Sequence, residues 1–150
     1  MVLDKPVKTY LMSAIKTALE AITEIAQVKH GQGIPIDQDT AVYPWCCFFD
    51  EPESKVQRNR AALKSFDLVV QVWVKKGTVS IDEQMDIIDA KIEAALLNDT
   101  DILYYGRSIT PTGSDKMVVD DQETGILQAV YQVDYMHAWK NPYELVKEVK

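Results

Sequence analysis

Two stretches of strict alternation limit what this chain can fold into more than any other feature. In the first, Phe66, Leu68, Val70, Val72 and Val74 alternate with Asp67, Val69, Gln71, Trp73 and Lys75. In the second, Leu127, Ala129, Tyr131, Val133 and Tyr135 alternate with Gln128, Val130, Gln132, Asp134 and Met136. Successive side chains of a strand point to opposite faces, so each stretch predicts a long strand with one wholly apolar face. Such faces must be covered, and two segments with helical spacing are available to do it. Leu11, Ile15, Leu19, Ile22 and Ile25 recur every three or four residues, with Lys8, Lys16, Glu20 and Glu24 between them. Ile81, Met85, Ile88, Ile92 and Leu96 form a second stripe, with Asp82, Asp86, Asp89 and Glu93 turned away from it. Asp4 is the expected N-cap of the first helix, with Pro6 in its first turn, and Ser80 followed by Glu83 has the spacing of a capping box for the second.

The remaining segments are read from their turn residues. Gly31, Gly33 and Pro35 make His30 to Thr40 a loop. Aromatic-rich Tyr43 to Asp50 predicts a strand that begins at Pro44 or lies at an edge. Glu51 to Arg60 reads as an exposed connection, and Asn98 and Asp99 close the second helix. Ile102 to Ile109 reads as a shorter strand, and Thr110 to Asp121, with Pro111 and Gly113, as a long loop or loose hairpin. Pro142 at a first helical position predicts a short helix in Asn141 to Lys150, with Leu145 and Val149 inward. At 150 residues the chain suits one domain. The expected fold class is α+β: a mostly antiparallel β-sheet packed against two amphipathic helices, with a short C-terminal helix.

Charge and composition narrow the chemistry. Sixteen Lys and Arg stand against 23 Asp and Glu, a net charge of -7, the wrong sign for gripping a phosphate backbone. No apolar run approaches the length of a membrane span. The only cysteines, Cys46 and Cys47, are neighbours whose side chains diverge in a strand, so they are expected as packed residues in a reducing, intracellular compartment. Two histidines, His30 and His137, fall short of a zinc ligand set; His137 is expected as a structural histidine and His30 at a helix end. Gly31-Gln32-Gly33 follows a helix and not a strand, unlike a nucleotide-binding turn. Asp86, Asp89 and Glu93 lie opposite the apolar stripe, as a solvated face would, and Ser108, Thr112 and Ser114 lack the context of a nucleophile. The expectation is therefore no catalytic residues, no cofactor and no metal.

Trp73 and Val69, and Val130 and Met136 on the other long strand, fall on the sheet face opposite the helix-facing residues. An apolar second face is covered either by the C-terminal segment or by a neighbouring protein.

With these pieces in order, the chain resembles the tail terminator family of long-tailed bacteriophages, including the lambda-type terminator. The likeness runs from about Pro6 to Tyr135. It rests on the first helix with Ala18-Leu19-Glu20, on Tyr43-Pro44-Trp45, and on the connection through Glu51 and Glu53. The strand Phe66 to Val74, the acidic helix Ser80 to Leu97 and the strand Gln128 to Tyr135 complete it. The resemblance implies a virion protein of the tail or neck, made in the cytoplasm of a host bacterium. It would form a hexameric ring that caps the tail tube, stops its polymerisation and offers a docking surface to the head-completion or connector protein. DNA would pass through the lumen without specific binding, which the acidic charge suits. The extension Asn141 to Lys150 and the loop Thr110 to Asp121 lie outside the likeness; the extension would touch a contractile sheath or brace the subunit. Interface candidates are Lys55, Arg58, Arg60, Trp73, Thr112, Asp115, Lys116, Val130 and Met136. The competing readings are another neck protein, a head-closure or adaptor component, and a small enzyme or ligand-binding domain.

Overall fold

In the computed structural model, which describes residues 1–31, 42–119 and 123–147, the chain runs through ten elements. They are α1 (Val7–Glu20), β1 (Gln27–His30), β2 (Trp45–Asp50), β3 (Ser54–Arg58), β4 (Ala61–Lys75), α2 (Ile81–Asn98), α3 (Thr100–Tyr105), β5 (Ser108–Val119), β6 (Thr124–Ala138) and β7 (Asn141–Leu145). The two alternating stretches become β4 and β6, which pair antiparallel along their full length, from Ala61 opposite Ala138 to Lys75 opposite Thr124. This ladder is the axis of a sheet ordered β1-β2-β4-β6-β5, with β3 beside the first residues of β4 and β7 beside the end of β6. Among the described residues, only the β1–β2 pair is parallel. The α+β class with a mostly antiparallel sheet is thus observed.

Both helices lie on one face. Phe66, Leu68, Val70, Val72 and Val74 of β4 and Leu127, Ala129, Tyr131, Val133 and Tyr135 of β6 form one buried cluster with Leu11, Ile15 and Leu19 of α1 and Met85, Ile88, Ile92 and Leu96 of α2. Each of these large side chains contributes about 1.5–3 kcal/mol by leaving water. The Ser80 hydroxyl accepts the Glu83 N–H at 3.2 Å, the expected cap of α2. Such a cap contributes about 1 kcal/mol.

The structure corrects several local expectations. Asp4 does not cap α1; Pro6 precedes it, without a side-chain cap. α1 stops at Glu20, and Ile22 and Ile25 are buried beyond its end. His30 lies in β1, its ring stacked on Phe48 at 4.6 Å, instead of at a helix end; the remainder of the predicted loop, from residue 32, falls outside the described residues. β2 begins at Trp45, directly after Pro44, which is the first of the two expected readings; flanked by β1 and β4, it is no edge strand. The connection 51–60 is exposed as expected but contains β3, whose partner is β4.

Ile102 begins no strand: Asp99 accepts the N–H groups of Asp101 and Ile102 at 3.0 and 2.9 Å and so caps α3. Tyr105 stacks on Tyr10 of α1, with ring centres 5.2 Å apart. Of the expected loop or loose hairpin 110–121, residues 110–119 belong to β5, and residues 120 and 121 lie outside the described residues. Pro111 and Gly113 are accommodated because β5 is an edge strand with a bulge between them. Where a C-terminal helix is expected, residues 141–145 form β7, turned back by Trp139-Lys140 with Lys140 at φ 67; residues 148–150, including Val149, lie outside the described residues. Its outer edge receives the N-terminal segment: the Leu3 N–H donates to Tyr143 O at 2.8 Å and the Leu145 N–H to Met1 O at 3.0 Å. Leu145 is inward, as predicted.

Candidate assembly surfaces

At one end of the long ladder, two tight turns sit side by side. The β3–β4 turn is Asn59-Arg60, with Asn59 at φ 54, and the Trp139 N–H of the β6–β7 turn donates to Arg60 O at 2.7 Å. Every residue of β3 is exposed, so Lys55, Arg58 and Arg60 project with Lys140 from this end. Lys55 lies over the Trp139 ring at 4.7 Å. The hairpin is anchored below its tip on the helix face. Glu53 receives Lys8 at 2.9 Å, Lys64 at 3.1 Å and the Tyr135 hydroxyl at 2.9 Å, and Lys8 also meets Asp50 at 2.7 Å. Burial alone would raise the Glu53 carboxyl, but hydrogen bonds from Lys8, Tyr135 and Lys64 hold it below its usual range.

His137 closes the same end from inside. It is buried, its Nδ1 lies 2.8 Å from Ala138 O, and its Nε2 has no partner among the described residues. The proton therefore sits on Nδ1 and donates to the carbonyl. Burial lowers the pKa, and Lys64 and Lys55 lower it further; the Ala138 hydrogen bond and Glu53 oppose this without prevailing. An unfolded histidine titrates near about 6.5, so below that pH the unfolded chain binds a proton that folded His137 refuses, and stability rises with pH across the interval. The urea midpoint should fall as pH drops from 7 to 5, and His137→Gln should flatten that part of the profile. An unchanged slope in the variant would remove His137 as its source.

The second sheet face carries a row that crosses four strands. Trp45, Trp73, Ile126 and Met117 are successive register partners, and residues directly opposite share a face. Trp45 is buried, Trp73 and Ile126 are half-buried, and Met117 is 56% exposed. The next row is polar: Gln71 Nε2 donates to Gln128 Oε1 at 2.8 Å, and Cys47 Sγ lies 3.7 Å from Gln71 Oε1. Cys47 is fully buried, as is Cys46 on the helix face, where burial and the neighbouring thiol push Cys46 up to about 12, leaving it protonated and inert. The two cysteines are packed residues, as expected.

The outer strand on this side, β5, is twelve residues long, and no strand pairs with its outer edge among the described residues. Thr112 at the bulge donates to Val130 O at 3.0 Å, Asp115 is exposed, and Lys116 pairs with Asp86 of α2. Between the bulge and α2 is a cleft of about 300 Å³, lined by Asp89, Glu93, Pro111 to Ser114, Ala129 and Tyr131. Burial raises the Tyr131 hydroxyl pKa, and the charges of Asp89 and Glu93 raise it further.

The nine interface candidates therefore occupy three places. Lys55, Arg58 and Arg60 share the hairpin end; Thr112, Asp115 and Lys116 share β5; Trp73, Val130 and Met136 lie on the second sheet face. Met136 is buried within the chain, with the Arg107 guanidinium 3.7 Å from its sulfur, and Val130 is half-buried beside the bulge. The helical spacing puts Asp89 and Glu93 on a solvated helix face, and only the fold of 108–119 as a strand brings the bulge opposite them to form the cleft. Among the described residues, no group of three or more His, Cys, Asp or Glu is arranged to hold a metal ion, and no helix is long and apolar enough to cross a membrane.

These features define an α+β fold with helices on one face of a mostly antiparallel sheet, a charged hairpin at one end and a long open edge strand. No family model matches the chain, and no curated protein matches it. Among solved structures, a chain of the virion of a native gene transfer agent particle aligns with 90% of this chain and 95% of its own length, at a TM-score of 0.47 and 14% identity.

Proposed function

We propose that the chain is a structural protein of a phage-like virion that assembles into a hexameric ring on the end of a tail tube, halts its growth and presents a docking surface to a head-completion protein. The observation that carries this reading is the twelve-residue edge strand β5, most of which is exposed, with Met117, 56% exposed, at the open end of the apolar row of the second sheet face and Val118, 42% exposed, next to it on the helix-side face. An open edge of that length, with apolar side chains on it, is a template for a neighbouring chain. The sequence resemblance supports the choice of neighbour: other copies of the chain, and the tail tube protein. The acidic balance of -7 suits a lumen through which DNA slides. The ring would act by geometry, one face seated on the last ring of the tube and the other refusing a further one. The chain has no catalytic role in this reading.

The test is light scattering and electron microscopy of the purified protein, alone and with its tail tube protein. Rings, and tubes whose length is limited when the protein is present, are expected. A strict monomer that leaves tube growth unchanged refutes the proposal. Loss of the gene should give overlong or headless tails, whereas loss of a head-closure component gives normal tails with leaking heads.

A further inference from the structure

Two surfaces of opposite charge lie far apart on the chain. The hairpin end carries Arg58, Arg60 and Lys140, all exposed, and neither arginine has an ion-pair partner among the described residues. The flank of α2 carries Asp89 and Glu93, which line the cleft against the β5 bulge and likewise meet no cation within ion-pair distance among the described residues. Like charges four residues apart on a helix repel, and a cation placed between them relieves that repulsion.

The same chain cannot bring these surfaces together. The cleft lies beside Tyr131, whose partner in the ladder is Leu68, while the hairpin turn lies beyond Ala61. At about 3.3 Å per residue the ladder between Ala61 and Leu68 spans roughly 23 Å, several times the reach of an arginine side chain. Two copies placed head to tail meet no such obstacle.

We infer that the basic β3–β4 hairpin of one copy docks into the acidic cleft between α2 and the β5 bulge of the next, with Arg58 or Arg60 seated between Asp89 and Glu93. The occupant is a second copy of this chain because both halves of the contact are present on it and are complementary in charge. The cleft has room for one long side chain, and the Pro111–Gly113 bulge interrupts the edge beside it, which marks where a partner can enter. A contact between two different surfaces of one protein is heterologous, so it propagates in one direction and closes into a ring when its rotation permits. The inference rests on the ring reading above and names the surfaces that would make it.

Charge exchange tests it. One variant carries Arg58→Glu and Arg60→Glu; the other carries Asp89→Lys and Glu93→Lys. Each alone sets like charge against like, and assembly measured by sedimentation velocity at low salt should weaken roughly tenfold or more. In a mixture of the two, the acidic hairpin of one faces the basic flank of the other and the remaining pair is native, so assembly should return. The thermal melt of each variant checks folding, and Asp89→Asn with Glu93→Gln is a milder pair whose assembly should also weaken. Wild-type rings with unimpaired variants, or folded variants whose mixture stays dispersed, overturn this contact while leaving the ring reading in place. A wild-type chain that never assembles, alone or with tube protein, removes both.

Discussion

Replacing Phe66 by alanine should lower the unfolding free energy by about 3–5 kcal/mol, the usual cost of removing a buried aromatic side chain. Phe66 is 2% exposed and sits at the junction of several parts of the molecule. Its ring meets that of Tyr135 edge to face, with centres 6.0 Å apart, and Lys8 of α1 lies 4.9 Å above it. The same Lys8 holds Glu53, and Glu53 holds Tyr135 and Lys64. Loss of the ring therefore leaves a cavity under the anchor of the hairpin as well as removing apolar burial. Because a domain of this kind has only about 5–15 kcal/mol of net stability, a large share of it would be lost. At about 2–4 °C per kcal/mol, the melting temperature should fall by roughly 6–20 °C. Urea unfolding should show a lower midpoint at unchanged slope. A loss below about 1 kcal/mol would mean that the site collapses around the missing ring, contrary to the close packing described.

Gly125→Val should also be damaging, for the opposite reason. A β-carbon at Gly125 would lie 2.4 Å from Ile81 Cγ2 and 3.2 Å from both Met85 Sδ and Val74 Cγ2. Valine suits a strand, but that preference spans only about 1 kcal/mol, whereas forcing extra carbon into a packed core costs about 1–3 kcal/mol and occasionally more. The clash should win. The first turn of α2 must then lift from β6, and with it the Lys116–Asp86 pair and the Asp89–Glu93 flank. The variant should melt well below wild type and, at temperatures where it remains folded, assemble less well. Gly125→Ala, with fewer atoms to place, should fall between the two. A valine variant as stable as the parent would show that the seat of α2 is not a tight fit.

Much of this architecture is legible in the sequence. The period-two runs specified the two central strands and which side of each faces the helices, because a one-residue slip would turn every apolar side chain to the wrong face. The helical stripes and the Ser80 cap specified α2 almost to the residue. Three of the segments where the structure departs from the pattern are instructive, because in each the deciding contact comes from elsewhere. The run 102–109 is too short for periodicity to separate helix from strand, and stacking on Tyr10 accompanies a helix. Pro111 and Gly113 signal a loop unless the segment is an edge strand with a bulge, and edge position is a property of the sheet as a whole. The residues after Pro142 form a strand because the N-terminal segment pairs with them, a partner more than a hundred residues away. The candidate surfaces divide in the same way: the exposed arginines of 58–60 could be read from the sequence, but the cleft they are proposed to meet exists only once β5 lies beside α2.

Pattern alone thus determined the class of fold, the helix-covered sheet face and the charge of the chain, because burial periodicity and composition are local quantities. Only the tertiary structure decided the order of the strands, the open edge of β5 and the separation of the basic and acidic surfaces. Those depend on which segments pair across long stretches of chain, and pairing free energy is carried jointly by both partners.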